Sequence, residues 1–363
     1  SPETYVFSFN EDSSNELTSI DGQLVFTVLD DETITGTITF AGRSAAGELL
    51  EVTLAPKTTA DFSSPPSNGL VFEQVTLYDD LTISGATIFS ESAAGIIGSY
   101  SDNSLFVVCR GFDGGNNTSE LIYKYSLDGD AWSVNLYNQQ QFITKRLNII
   151  NNELVAFGGQ IATTYPLELG LPNSEFQHDL AYTRFGFAVQ GDFGYVVEGS
   201  TEQGPLPPSN ILKYNYLDNS ITQIGTLPKA RLYGGSEIVN DKLYVFGGRN
   251  EFIDGALDAE SFIYDLQDNS VSSFMMPDAP RMSFAAKNGT LIYVGYTVAD
   301  QNGQSIKFGV YDTAANTFSP IADNLDDSSG IDVIEGITVF NGFLYAIYGN
   351  SQENIMRIFR APL

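Results

Sequence analysis

One short pattern recurs from about residue 100 onwards and limits the fold more than any other feature of the chain. A turn built from Asn, Asp or Gly leads into an aliphatic or aromatic run that often ends in glycine. Copies start at Ser104, Glu153, Phe193, Lys242, Thr290 and Phe343, 40 to 53 residues apart. The fullest are Glu153-Leu154-Val155-Ala156-Phe157-Gly158-Gly159 and Lys242-Leu243-Tyr244-Val245-Phe246-Gly247-Gly248. Short apolar runs bounded by turn residues read as buried strands, and this period matches one four-stranded propeller blade.

A second signal follows the better copies. An aromatic residue, a polar turn and a bulky apolar residue seven positions on recur as Tyr125 with Trp132, Tyr214 with Ile221, Tyr264 with Val271, and Tyr311 with Phe318. Between them stand Asp128-Gly129, Asp218-Asn219, Asp268-Asn269 and Asn316, residues that tolerate the backbone of a tight turn. Each pair therefore predicts a β-hairpin. No segment carries sustained helical periodicity with caps at both ends, so very little helix is expected.

Together these signals resemble the kelch repeat, in which a Gly-Gly pair ends the second strand and Tyr and Trp mark the third and fourth. The double glycine stands at Gly158-Gly159 and Gly247-Gly248, and Trp only at Trp132; the resemblance covers about residues 90 to 363. It implies an all-β, kelch-like propeller of four-stranded antiparallel blades. Pro65-Pro66-Ser67-Asn68 followed by Val75-Thr76-Leu77-Tyr78 parallels Pro207-Pro208-Ser209-Asn210 followed by Ile211-Leu212-Lys213-Tyr214, which predicts the third strand of a further blade near 70 to 79 and its fourth near 82 to 89. Its earlier strands would come from the runs at 23 to 30, 33 to 41 and 48 to 55. This count favours seven blades over residues 1-363, with 1-90 giving the closing strand, Tyr5-Val6-Phe7-Ser8-Phe9, and the first blade. The alternative is a small β-domain over 1-65 and a six-bladed propeller over 66-363.

Seventeen Lys and Arg against 45 Asp and Glu give a formal net charge of −28, which repels phosphate backbones and anionic lipid surfaces. Nucleic acid is therefore not an expected partner, and no stretch is apolar enough to span a bilayer. Cys109 is the only cysteine, so the chain holds no internal disulfide and no Cys-rich metal site. The Ser-Pro-Glu start fits a trimmed product and leads us to expect an extracytoplasmic bacterial protein, periplasmic, surface-bound or secreted, with a lipid anchor upstream of Ser1 as one option. A monomer is expected.

The only histidine is His178, which by itself excludes a multi-histidine zinc site and the two-histidine copper site of kelch-type oxidases. No Gly-x-Ser-x-Gly elbow accompanies it, and no glycine-rich phosphate loop leads into a helix. No catalytic residue is assigned, so the reading leans away from an enzyme. No cofactor is expected; the many Asp residues leave room for calcium, although no Asp-x-Asp-x-Asp-Gly loop is present. Tyr125 to Trp132 resembles an Asp-box turn and is read as structural.

One arrangement points to a site. Arg146, Arg184, Arg231 and Arg281 each precede the innermost strand of a blade, and Arg110 and Arg249 follow the second strand. Antiparallel blades bring both kinds of connection to the same end of the ring. Six of the nine arginines, with Glu198, thus form a candidate ligand-binding face for a carboxylate or sulfate, set against a role in tying adjacent blades together. The function expected from this is an exported non-catalytic binding propeller for a carbohydrate or protein partner. One alternative is a sugar-active enzyme like the kelch-type sialic acid mutarotase, with Glu198 and Glu237 near the arginines. The other is a structural or adhesive surface protein.

Overall fold

The computed structural model describes residues 3–11, 17–28, 34–44, 49–54, 69–75, 87–89, 95–101, 103–112, 118–128, 131–137, 145–169, 172, 174–182, 185–199, 207–250, 257–300, 303–322, 325, 333–350 and 355–363. The chain divides into two compact units, Ser1–Ser64 and Pro65–Leu363. In the first, β1 (Glu3–Glu11), β2 (Leu17–Val28), β3 (Ile34–Ser44) and β4 (Leu49–Leu54) form an antiparallel meander in that order.

The second unit is an all-β propeller of six antiparallel blades, with no helix among the described residues. It opens with β5 (Glu73–Gln74) and β6 (Thr87–Phe89). Blade one holds β7 (Gly95–Ser99), β8 (Ser104–Phe112), β9 (Thr118–Ser126) and β10 (Ala131–Tyr137), with β6 continuing the edge of β8 beyond β7. Blade two shows three strands among the described residues, β11 (Lys145–Ile150), β12 (Glu153–Pro166) and β13 (Ser174–Tyr182). Blade three is β14 (Gly186–Gln190), β15 (Phe193–Val197), β16 (Asn210–Asn215) and β17 (Ser220–Thr226). Blade four is β18 (Gly235–Val239), β19 (Lys242–Phe246), β20 (Glu260–Asp265) and β21 (Val271–Met275). Blade five is β22 (Met282–Asn288), β23 (Leu291–Asp300), β24 (Gly303–Asp312) and β25 (Thr317–Ile321). Blade six takes β26 (Val333–Phe340), β27 (Phe343–Asn350) and β28 (Ile355–Pro362) from the end of the chain and β5 from its own beginning. The inner strands β7, β11, β14, β18, β22 and β26 adjoin in turn, and β26 returns to β7.

The ring therefore has six blades, the alternative count read from the sequence, and the preference for seven is corrected. The described residues of the runs assigned to the early strands of a further blade lie in β2, β3 and β4 of the first unit. Tyr5 to Phe9 do not close the ring: Tyr5 pairs with Phe26 and Phe9 with Gly22. The strand beside β28 is β5, with Gln74 opposite Phe359 and Glu73 opposite Arg360. Packing fixes this choice. Leu70 and Phe72 are buried in a cluster with Phe308, Val310, Ile321 and Ala361, so the segment leading into β5 fills the seam between blades five and six. Arg360 Nε donates to Glu73 Oε1 at 2.7 Å, and Val75 N to Ile358 O at 2.9 Å. Thr87–Phe89, expected in a fourth strand, pairs instead with β8.

The hairpins follow the sequence closely. Tyr125 pairs with Trp132, Tyr214 with Ile221, Tyr264 with Val271 and Tyr311 with Phe318. Asn219, Asn269 and Asn316 adopt left-handed backbone (φ 57°, 62° and 57°), which asparagine tolerates better than most residues. Each also accepts a hydrogen bond from the tyrosine hydroxyl five residues earlier: Tyr214 to Asn219 at 2.6 Å, Tyr264 to Asn269 at 2.7 Å, and Tyr311 to Asn316. The tyrosine thus buries its ring between blades while its hydroxyl holds the turn, and burying each such ring stabilises the fold by about 1.5–3 kcal/mol.

Candidate functional site

Inner strands decide what lies on the ring axis. Counting back four residues from their last residues, Ser99, Ile150, Gln190, Val239, Asn288 and Phe340, gives Gly95, Arg146, Gly186, Gly235, Phe284 and Gly336. Glycine holds this level in four blades, where the next inner strand packs close, leaving no room for a Cβ at Gly186 and Gly235 and a tight fit at Gly95 and Gly336. A Cβ would lie 3.3 Å from Leu147 N at Gly95, 2.7 Å from Ser236 Oγ at Gly186, 2.8 Å from the Phe284 backbone at Gly235, and 3.3 Å from Ile96 Cγ2 at Gly336. The two exceptions, Arg146 on blade two and Phe284 on blade five, stand opposite each other. Their side chains meet across the axis, the guanidinium carbon 4.3 Å from the Phe284 ring centre.

A cavity of about 270 Å³ occupies the axis, and apart from Gly234 its lining lies at this level or towards the hairpin end, where first and second strands join. Arg146 and Phe284 form its floor. Its polar wall is Asn148, Ser236, Glu237, Lys287 and Thr338, and its apolar wall includes Ile97, Val189, Ile337 and Val339. Tyr100 stands at the rim, 70% exposed, its ring packed on Phe340 with centres 4.7 Å apart.

Charge in the cavity is unevenly partnered. Lys287 Nζ donates to Glu237 Oε1 at 3.2 Å and to Ile238 O at 3.0 Å, and Ile238 N also donates to Glu237 Oε1, at 2.9 Å. Burial pushes the Glu237 carboxyl up, against the opposing pull of Lys287. Burial likewise lowers Arg146 to about 10, with Glu335 the main influence in the other direction, so the guanidinium stays charged at neutral pH. Its hydrogen bond among the described residues runs from Nε to Phe185 O at 3.3 Å.

No protein-family model matches the chain, and neither does any curated protein.

The arginines singled out from the sequence do not share one environment. Arg231 has no exposed surface and is locked in the seam between blades three and four. It donates to Ala230 O at 2.9 Å and Glu260 O at 2.8 Å, pairs with Asp258 at 3.4 Å, and lies 4.6 Å from the Phe262 ring centre. Arg249 lies 5.4 Å from the Tyr233 ring centre, and its backbone exchanges hydrogen bonds with Leu232. Arg281 is half-buried, its backbone N–H on Thr297 O. The side chains of Arg110, Arg184 and His178 lie outside the described residues. Glu198 is buried beside β16, accepting from Asn210 Nδ2 at 2.7 Å, and is not part of the cavity wall. Of the candidate residues whose side chains are described, only Arg146 lines the cavity.

Sequence reasoning reached Arg146 and named Glu237, but missed Phe284, Lys287, Asn148 and Tyr100. A usable signal existed. Aligning the inner strands on their last residues exposes a column of glycines with one arginine and one phenylalanine as its exceptions.

Proposed function

We propose that this chain is a kelch-like binding propeller that holds a small carbohydrate in the axial cavity and performs no chemistry on it. The observation that carries this reading is the cavity itself: closely packed inner strands, mixed polar and apolar walls, and an exposed aromatic ring at the open rim. Its volume of about 270 Å³ sits just under the range of roughly 300–1,000 Å³ typical of small-molecule sites, which suits a ligand of monosaccharide size. Tyr100 offers an apolar face for a sugar ring, while Asn148, Thr338 and the Glu237–Lys287 pair offer donors and acceptors for hydroxyls.

A binding role rather than catalysis is supported by the state of Glu237, the carboxyl in the cavity wall among the described residues. Glu237 is tied through the same oxygen to Lys287 and to Ile238 N, an arrangement that fixes a side chain in place. Extracytoplasmic placement belongs to the same proposal and is tested by cell fractionation. Ligand-observed NMR with a panel of monosaccharides, followed by calorimetry on Tyr100→Ala, tests the binding role. Sugar binding that weakens about tenfold in Tyr100→Ala is expected, in line with the loss of one stacking contact. A panel in which no monosaccharide contacts the protein at millimolar concentration would sink the proposal.

A further inference from the structure

Arg146 is the feature of the cavity that a neutral ligand leaves unexplained. Its side chain is 9% exposed, deep on the ring axis, and its charge persists at neutral pH. A guanidinium carries five N–H donors, and only the one on Nε has an acceptor among the described residues. Glu335 is close enough to influence it, yet no ion pair joins the two among the described residues. Phe284 supplies a π face on one side but accepts no N–H in the guanidinium plane. Its terminal nitrogens are not among the sealed, unpartnered atoms of the described residues, and Arg146 lines the cavity, where an acceptor on a ligand can reach them.

The cavity's charge points the same way. Among the described residues its charged wall is Arg146, Lys287 and Glu237, two cations and one carboxylate, in a chain whose formal net charge is −28. Lys287 and Glu237 already answer each other at 3.2 Å, which leaves the charge of Arg146 as the surplus. Local positive charge at the floor of a cavity in so acidic a molecule selects a small anion that can reach it. A planar carboxylate matches the guanidinium fork with two parallel hydrogen bonds.

We infer that the ligand of the axial cavity is an acidic monosaccharide of the hexuronate type, whose carboxylate sits on the free N–H groups of Arg146 while its ring lies towards Tyr100. This rests on the carbohydrate reading given above and adds to it the charge of the ligand and the residue that reads it. Arg146 then acts as the specificity determinant and Phe284 as the group that positions it.

The test compares D-glucuronate and D-galacturonate with glucose, galactose and the two uronate methyl esters, by calorimetry on the whole chain. Each acid is expected to bind at least about tenfold more tightly than its ester or its neutral hexose, the usual gain from a charge-assisted pair. Arg146→Gln is expected to abolish that preference, so that acid, ester and hexose bind alike. Equal binding of acid, ester and hexose by the unmodified protein would overturn the inference and leave the carbohydrate reading standing. So would a preference for the acid that survives in Arg146→Gln. Failure of all six sugars to bind would overturn both. Should Arg146→Gln not fold, the comparison of acid with ester still decides, because it changes the ligand and not the protein.

Discussion

Arg146 and Arg231 are both buried arginines that stack on a phenylalanine, and they behave as opposites. Arg231 lies in the seam between blades three and four, where Ala230 O, Glu260 O and Asp258 take up its terminal nitrogens. Arg146 lies on the axis, with its terminal nitrogens unanswered among the described residues. Burial lowers the pKa of both, but coulombic and hydrogen-bonding help comes from Asp258 in the seam, while on the axis the opposing influences, Glu335 and Tyr233, are coulombic alone. The contrast separates two uses of a buried cation. Arg231 leaves only its Nε without a partner, and its terminal nitrogens join blades together; Arg146 has its Nε partnered and its terminal nitrogens spare, as a receptor would.

The sharpest way to break this contrast is to remove each guanidinium in turn. Arg231→Met is expected to lower unfolding free energy in urea by about 3–5 kcal/mol, because the carbonyls of Ala230 and Glu260 lose their donor in a desolvated seam and Asp258 is left with Lys229 alone as a cationic partner among the described residues. Arg146→Met is expected to cost no more than about 1–2 kcal/mol, since it removes an unanswered charge and leaves an apolar side chain against Phe284. Equal losses would erase the distinction between seam and axis.

A smaller effect comes from the glycine column. In Gly235→Ala the new Cβ would lie 2.8 Å from the Phe284 backbone. This forces blades four and five apart at about 1–3 kcal/mol, measured as a lower urea midpoint, and displaces Phe284 from Arg146. Phe284→Leu leaves the strands where they are and removes only the π face. It is expected to cost about 1–2 kcal/mol, and to weaken acidic-sugar binding more than neutral-sugar binding if the ring positions the guanidinium. A variant that weakens both sugars alike would argue that Phe284 serves packing alone.

The mildest prediction concerns acid. Burial works against the charged form of Asp258, but hydrogen bonds from Lys229 and Glu260 N, with the charges of Arg231 and Lys229, hold its carboxyl below the usual 3.8. Glu260 is held below 4.5, chiefly by its hydrogen bond from Lys229. Both groups therefore contribute stability that is complete above their unfolded values and is lost as pH falls through the lower folded ones. A urea midpoint flat from pH 7 to pH 5 and falling below about pH 4.5 is expected, with a shallower fall in Arg231→Met and no such change in Arg146→Met.

The blade was readable in the chain because its rules are local. The tyrosine, the left-handed asparagine and the apolar partner seven residues on lie within one hairpin, and their pairing follows from strand alternation and turn geometry without reference to the rest of the molecule. Arginines at the start of inner strands were readable for the same reason. Their roles were not, because the structure puts Arg146 inside β11, level with Gly235, and Arg231 four residues ahead of that level in the connection to β18, a difference of register that only the strand bounds reveal.

The sequence by itself determined an all-β ring of repeated four-stranded units and the absence of any multi-histidine metal site. Tertiary structure alone decided the number of blades, the use of Glu73–Gln74 as the closing strand, and the meeting of Arg146 with Phe284 on the axis. These depend on contacts between residues far apart in the chain. Leu70 and Phe72 settle beside Phe308 and Ala361 because that seam buries them, and Arg146 faces Phe284 because six blades, and not seven, place their strands on opposite sides of one narrow ring.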